Sequence, residues 1–135
     1  MIISEESKDK GRRVREVLSK NSSSRSASNM AGFDLVPELE DYALGINFGE
    51  IWSREQLNIK TRCAVTIGML TALGVEPQIK SYVEYSLNAG WTPEEVAEMF
   101  VQCISYLGLP RALNGLRCAG EVFAERRLTT NQEKG

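Results

Sequence analysis

Histidine is absent from this chain of 135 residues. That absence excludes Ser–His and Cys–His nucleophile pairs, and any His-ligated zinc or iron site within one chain. Acid–base chemistry must then fall to Glu, Asp, Tyr, Cys or Lys, with pKa values tuned by burial. Cysteine is scarce: Cys63, Cys103 and Cys118 lie far apart and form no CxxC, so neither a thioredoxin-like redox pair nor a zinc knuckle is supported. Inside apolar helical stretches, three scattered cysteines read as small core hydrophobes. Long apolar runs are also lacking. The longest, Ala64 to Leu73, is about half of the roughly 20 residues needed to cross a bilayer. The N-terminus turns charged at Glu5 and shows no three-part signal peptide. The expectation is a soluble cytoplasmic protein with no metal and no cofactor. One domain of this length can bury a core without disulfides.

What is present is unevenly charged. Residues 1–32 hold seven Lys/Arg against four Asp/Glu, whereas residues 33–135 hold nine against fourteen. The basic residues of the arm alternate with Glu5, Glu6, Asp9 and Glu16, the pattern of a solvated helix docked on an acidic body or on a neighbouring subunit. No nucleic-acid module is visible.

The chain reads as helix almost throughout. Glu5 to Ser19 carries a thin stripe of Val14, Val17 and Leu18, too narrow to hold a helix alone. Asn21 to Asn29 is a Ser-rich connector. Leu35 to about Trp52 has Pro37 in its first turn and an inner face of Leu39, Tyr42, Ala43, Ile46 and Phe48. Asn58 caps a helix from Ile59 to Leu73 that stops at Gly74. Its second half is apolar nearly all round, which predicts a fully surrounded central helix. Pro77 and Gly90 bracket the next helix, from about Glu76 to Asn88. Thr92-Pro93-Glu94-Glu95 is a capping box, and the helix it opens turns Val96, Met99, Phe100, Cys103, Ile104 and Leu107 inward before ending at Gly108. A last helix runs from Pro110 to about Arg127 with Leu113, Leu116, Ala119 or Gly120, and Phe123 apolar, followed by a polar tail.

These elements predict an all-α bundle of about six helices. Residues 1–32 form an N-terminal helix and connector, 33–127 the helical domain and 128–135 the tail. The central helix is too apolar for a monomer of this size to cover, so a homo-oligomer is expected.

Ordered short motifs then point to a family. Phe48-Gly49-Glu50-Ile51-Trp52-Ser53-Arg54, Thr61-Arg62, Val65-Thr66-Ile67, Ala72-Leu73-Gly74, Leu87-Asn88-Ala89-Gly90, Tyr106-x-Gly108-x-Pro110-x-Ala112 and Glu121-Val122-Phe123 together resemble the carboxymuconolactone decarboxylase family. Gly11 to Leu18 is similar to that family's N-terminal helix. The resemblance implies an alkyl hydroperoxidase D-like all-α subunit that assembles into a ring, a trimer or hexamer. It also implies cofactor-free removal of CO2 from a small conjugated lactone acid. Where the family usually reads His-x-Arg-Gly-Ala-Leu-Asn, this chain reads Tyr82-Val83-Glu84-Tyr85-Ser86-Leu87-Asn88, so Tyr82 stands at the His position and Glu84 at the Arg position. A carboxylate in place of a cationic clamp should repel a dicarboxylate. The peroxidase branch uses a CxxC pair and a His, which fall here at Cys63, Val75, Gln78 and Tyr82 together with its Glu, so disulfide-type peroxidase chemistry is set aside.

The expected catalytic residues are Glu50, as principal acid/base, with Tyr82 and Glu84. Trp52, Arg62, Tyr85 and Tyr106 are expected to contact the small-molecule substrate. Each has a plainer reading: Glu50 as a helix-end Glu, Arg62 as the ion-pair partner of Glu50 or Glu55, Trp52 and Tyr106 as core aromatics. Arg111, in the first turn of the last helix, opposes that helix's dipole and calls for an anion, from Glu94 or Glu95 of a neighbour or from a ligand. The two functions in view are an enzyme acting by proton transfer on a small conjugated or enolisable acid or lactone, by decarboxylation, isomerisation or cyclisation, and a non-catalytic assembly protein that keeps the fold alone. No nucleic acid or membrane partner is expected.

Overall fold

The computed structural model describes residues 2–20 and 32–134, with side chains up to residue 127. The Ser-rich segment falls outside them. Six α-helices follow in order: α1 Glu5–Leu18, α2 Pro37–Tyr42, α3 Ile59–Leu73, α4 Glu76–Asn88, α5 Pro93–Leu107 and α6 Leu109–Lys134. No strand occurs among the described residues. α2 runs on directly into a π-helical stretch, Ala43–Ile51, whose wider turn is closed by a Trp52 N–H to Asn47 carbonyl bond of 2.9 Å.

The helix limits follow local chemistry. Ser4 caps α1 by accepting from the Ser7 N–H, and Asn58 caps α3 by accepting from the Thr61 N–H at 2.8 Å. Thr92 and Glu95 exchange both bonds of a capping box at the start of α5. Gly74 closes α3 at φ 72°, a left-handed conformation that a side chain would disfavour. α6 does not stop near Arg127 but continues to Lys134.

Two clusters make the core. Ile67, Ile79, Val83, Val96, Phe100, Cys118, Ala119 and Val122 fill the space between α3, α4, α5 and α6. Val14, Leu18, Phe48, Trp52, Cys63 and Tyr85 fill the space between α1, the π-helical stretch, α3 and α4. Tyr82 and Trp91 pack against both clusters.

Several faces differ from the periodic reading. α1 buries Ser7, Gly11, Val14 and Leu18 and leaves Val17 half-exposed. Glycine explains the shift: a Cβ at Gly11 would collide with the Leu44 carbonyl, and one at Gly49 with the Ser7 carbonyl, so the two backbones touch where periodicity sees no apolar side chain. Across the second helical region the inner face is Leu44, Gly45, Phe48 and Gly49, while Leu39 and Tyr42 stay exposed, because a π turn rotates residues out of the 3.6-residue phase. α6 turns Ala112, Gly115, Cys118, Ala119 and Val122 inward and leaves Leu113 and Leu116 at the surface, since Gly115 lies against the Phe100 ring and admits nothing larger. On α5, Ile104 also faces outward. α3 is not surrounded within one chain: Val65, Met69 and Leu73, one turn apart, are 50, 56 and 68% exposed. Within the subunit, the Arg111 guanidinium lies against Gly74 at the C-terminus of α3, the negative end of that helix's dipole. No helix is long and apolar enough to cross a membrane among the described residues.

Candidate active site

Glu50, near the end of the π-helical stretch, and Trp52 to Leu57 after it form one wall of an open groove of about 990 Å³. α1 supplies the opposite wall with Lys10, Arg13, Val14 and Val17, and the start of α3 closes the end with Ile59 and Lys60. Four cations, Lys10, Arg13, Arg54 and Lys60, face two carboxylates, Glu50 and Glu55. This excess of positive charge around a concave surface attracts small anions.

Glu50 lies on this wall with its side chain accessible. Ser7 donates its hydroxyl to Glu50 Oε1 and itself accepts from Ser4 Oγ at 2.9 Å. A carboxylate with one oxygen fixed and solvent at hand can exchange protons with both a ligand and water. Trp52, two residues on, is buried and lines the groove with one edge. Its ring centroid stands 5.9 Å from Phe48 and 5.9 Å from Tyr82, and Tyr82 meets Tyr85 edge-on at 5.0 Å. Burial holds the Tyr82 phenol well above the ordinary tyrosine range; neighbouring Tyr85 and Cys63 push the same way, and the Arg15 charge draws it partly back. Tyr82 is therefore a neutral hydrogen-bond donor at physiological pH and not a base.

The remaining expected residues are dispersed. Glu84 is 3% exposed on α4, one turn before Asn88, and does not line the groove. Asn88 ties three helices together, donating to the Leu18 carbonyl at 2.6 Å and accepting from Arg126 at 3.0 Å. Arg62 pairs with neither Glu50 nor Glu55: its Nε donates to the Leu57 carbonyl at 2.9 Å and its Nη2 to the Arg54 carbonyl at 3.1 Å, pinning the loop that floors the groove. Tyr85 belongs to the inner core. Tyr106, 83% exposed, is no core aromatic; it lines a separate apolar groove of about 590 Å³ with Val65, Gly68, Trp91, Met99 and Cys103.

Sequence reasoning passed over Ser7, Lys60 and, outside the groove, Arg15. Ser7 orients Glu50; Lys60 lines the groove and lies 4.4 Å above the Trp91 ring, whose Nε1 donates to the Lys60 carbonyl at 2.6 Å. Arg15 stands with its guanidinium carbon 5.3 Å from the Phe48 centroid. The sequence held a signal for it, since residue 15 is four positions after Gly11 and three before Leu18, at the edge of the buried face.

Cys63 is fully buried, and burial pushes its thiol up to about 12 against the lowering effect of a hydrogen bond with Ser86. It is no nucleophile at neutral pH. The native state keeps this proton where an unfolded thiol, with its ordinary value of 9.0, has lost it. Stability is therefore intact below that value and falls as pH rises towards 12, and the raised Tyr82 phenol adds in the same direction. Urea midpoints measured from neutral pH upward should decline across this alkaline interval, and less steeply in Cys63→Ser; equal slopes for the two proteins would show that Cys63 takes no part. Among the described residues no cluster of three or more His, Cys, Asp or Glu is placed to hold a metal ion.

The profile of the Carboxymuconolactone decarboxylase family matches residues 37–121, from the start of α2 into α6. Among curated proteins, the 4-carboxymuconolactone decarboxylase of Acinetobacter baylyi is 34% identical over 110 residues, covering 82% of this chain and 81% of that one. An uncharacterized 15.0 kDa protein of Paracoccus denitrificans, from the nqo9-nqo10 intergenic region, is 40% identical over 93 residues, covering 67% and 69%. With the all-helical subunit and this extent of shared sequence, the chain belongs to the carboxymuconolactone decarboxylase family.

Proposed function

We propose that the protein is a carboxymuconolactone decarboxylase-like enzyme that works without a cofactor, by proton transfer, on a small conjugated or enolisable acid or lactone. The observation that carries this reading is the groove itself: a Ser7-anchored carboxylate, Glu50, in a concavity ringed by four cations and walled by Trp52. The relative from Acinetobacter baylyi supplies the reaction class. In such a decarboxylation the carbon–carboxylate bond breaks, CO2 leaves, and its electron pair enters the conjugated system. A proton must then reach the remote carbon of that system. Glu50 relays that proton: its carboxylate takes a proton from water in the open groove and passes it to the remote carbon, ending as the carboxylate it began; the cations hold the anionic substrate and stabilise the charge that moves through it. Tyr82 supports Trp52 from behind as a neutral group.

The working form is a homo-oligomer, a trimer or hexamer. The exposed stripe Val65, Met69 and Leu73 on α3 and the half-exposed Leu109, Leu113 and Leu116 on α6 favour this, because a lone subunit leaves them in water. The test is incubation of purified protein with 4-carboxymuconolactone, following CO2 release, with sedimentation velocity on the same sample. Turnover by a multimer is expected. A monomer sinks the assembly reading. A multimer inert toward 4-carboxymuconolactone and related unsaturated lactone acids favours a non-catalytic assembly protein.

A further inference from the structure

Gly68 lies in the interior of α3, where a glycine is unfavourable relative to alanine by about 1 kcal/mol. Among the described residues nothing in the subunit calls for it, since a Cβ there would meet no atom within 4 Å. Gly11, Gly49 and Gly115 are different, each touched by a neighbouring element. Gly68 opens instead onto the apolar groove between α3 and α5, beside Val65, Trp91, Met99 and Cys103. That groove, of about 590 Å³, has room for a large side chain. Tyr106 stands on the same groove with its ring in water, 83% exposed.

The apolar surface runs on past the groove, from Val65 along α3 to Met69 and Leu73. With Tyr106 these three expose on the order of 500 Å² per subunit, more than half of the roughly 800 Å² that each partner gives to a stable interface. A small ligand in the groove would leave Met69 and Leu73 wet, whereas a second copy of the chain covers them. Projecting ring and open hollow share one face, which is what a two-fold contact requires, because each protomer then gives and receives the same group. Glu95 and Glu98 are exposed on the groove and supply the polar rim that surrounds such a core.

Trp91 joins this face to the Glu50 groove. It lines the α3/α5 groove, its Nε1 donates to the Lys60 carbonyl at 2.6 Å, and its ring carries the Lys60 ammonium at 4.4 Å. Lys60 in turn lines the groove of Glu50. We infer that a second copy fills the α3/α5 groove in a two-fold contact, each Tyr106 ring seated over the partner's Gly68, and that the contact steadies Lys60 through Trp91. This rests on the proposed homo-oligomer and deepens it by naming the surface, the anchor and the side chain of the candidate site that the contact positions.

Sedimentation velocity over a dilution series tests the contact. Gly68→Leu and Tyr106→Ala should each weaken self-association by about thirtyfold or more, the loss expected of a central anchor. Both should keep the parent's helical circular dichroism; Gly68→Leu places a better helix former in space that is open within the subunit. A parent multimer that is unchanged in size in both variants overturns the contact and leaves assembly to other surfaces. A monomeric parent overturns both. Unchanged size together with an apolar dye bound by the parent and excluded from Gly68→Leu makes the groove a ligand site, which also overturns the inference. For Lys60 the probe is ¹³C-dimethylation of lysines. The Lys60 methyl signal, assigned by its loss in Lys60→Arg, should carry a ring-current shift from Trp91 that shrinks in Tyr106→Ala. A shift that survives dissociation overturns the link to Lys60. Neither measurement uses turnover, so a protein inert toward 4-carboxymuconolactone removes the enzyme reading and leaves this inference standing.

Discussion

Glu50→Gln should reduce kcat for 4-carboxymuconolactone by about 10²- to 10⁴-fold, the range over which a positioned general acid or base acts. Gln keeps the size of the side chain, and its amide oxygen can still accept from Ser7, so the wall of the groove should not collapse. What disappears is the exchangeable proton. KM should stay level or fall, since four cations would then face Glu55 alone and hold an anion at least as well. That split, a lost kcat with an undamaged KM, is the signature of an interaction made only in the transition state. Ser7→Ala should give a smaller loss, about tenfold, because the carboxylate remains but one oxygen is free to turn. A Glu50→Gln enzyme within about threefold of the parent would move the acid/base role elsewhere.

Gly11→Val should be the most damaging single change to the fold in this half of the molecule. Any Cβ at position 11 meets the Leu44 carbonyl oxygen and the Gly49 backbone, and neither can rotate aside as a side chain would. Overpacking a core typically costs about 1–3 kcal/mol, and a backbone-on-backbone clash belongs at or above the upper end of that range. Because α1 carries Ser7, Lys10 and Arg13, lifting it away also dismantles the groove, so activity should fall with stability. The contrast is Gly120→Ala: nothing lies within 4 Å of a Cβ there, and replacing a helical glycine should add up to about 1 kcal/mol. Urea unfolding of the two variants would show opposite signs. A Gly11→Val protein as stable as the parent would mean that α1 docks differently.

The reading of the candidate site fared unevenly for a physical reason. Trp52, Tyr82 and Tyr85 do come together, since they are large apolar side chains on helices that share a core. Arg62 and Tyr106 lie elsewhere, and Glu84 is buried outside the groove. A motif records which residues lie near one another along the chain, whereas a site needs them near in space, on faces that the packing chooses. Arg62 shows the difference: its guanidinium is taken by two loop carbonyls, a partner type that no pattern of charged residues announces.

By itself the sequence determined the chemistry open to the protein and the limits of its helices. Without histidine, the groove's candidate acid/base is a carboxylate. Asn58, the Thr92–Glu95 box, Gly74 and Gly108 set helix ends through bonds and dihedral angles that span only a few residues, so they could be read directly. Tertiary structure alone decided which faces meet. The π-helical stretch, the glycine contacts of α1 and the small-residue face of α6 all turn on how closely one backbone can approach another. That distance depends on elements far apart in the chain, and it is what placed Arg15 beside Phe48 and Tyr82 with two donors unused.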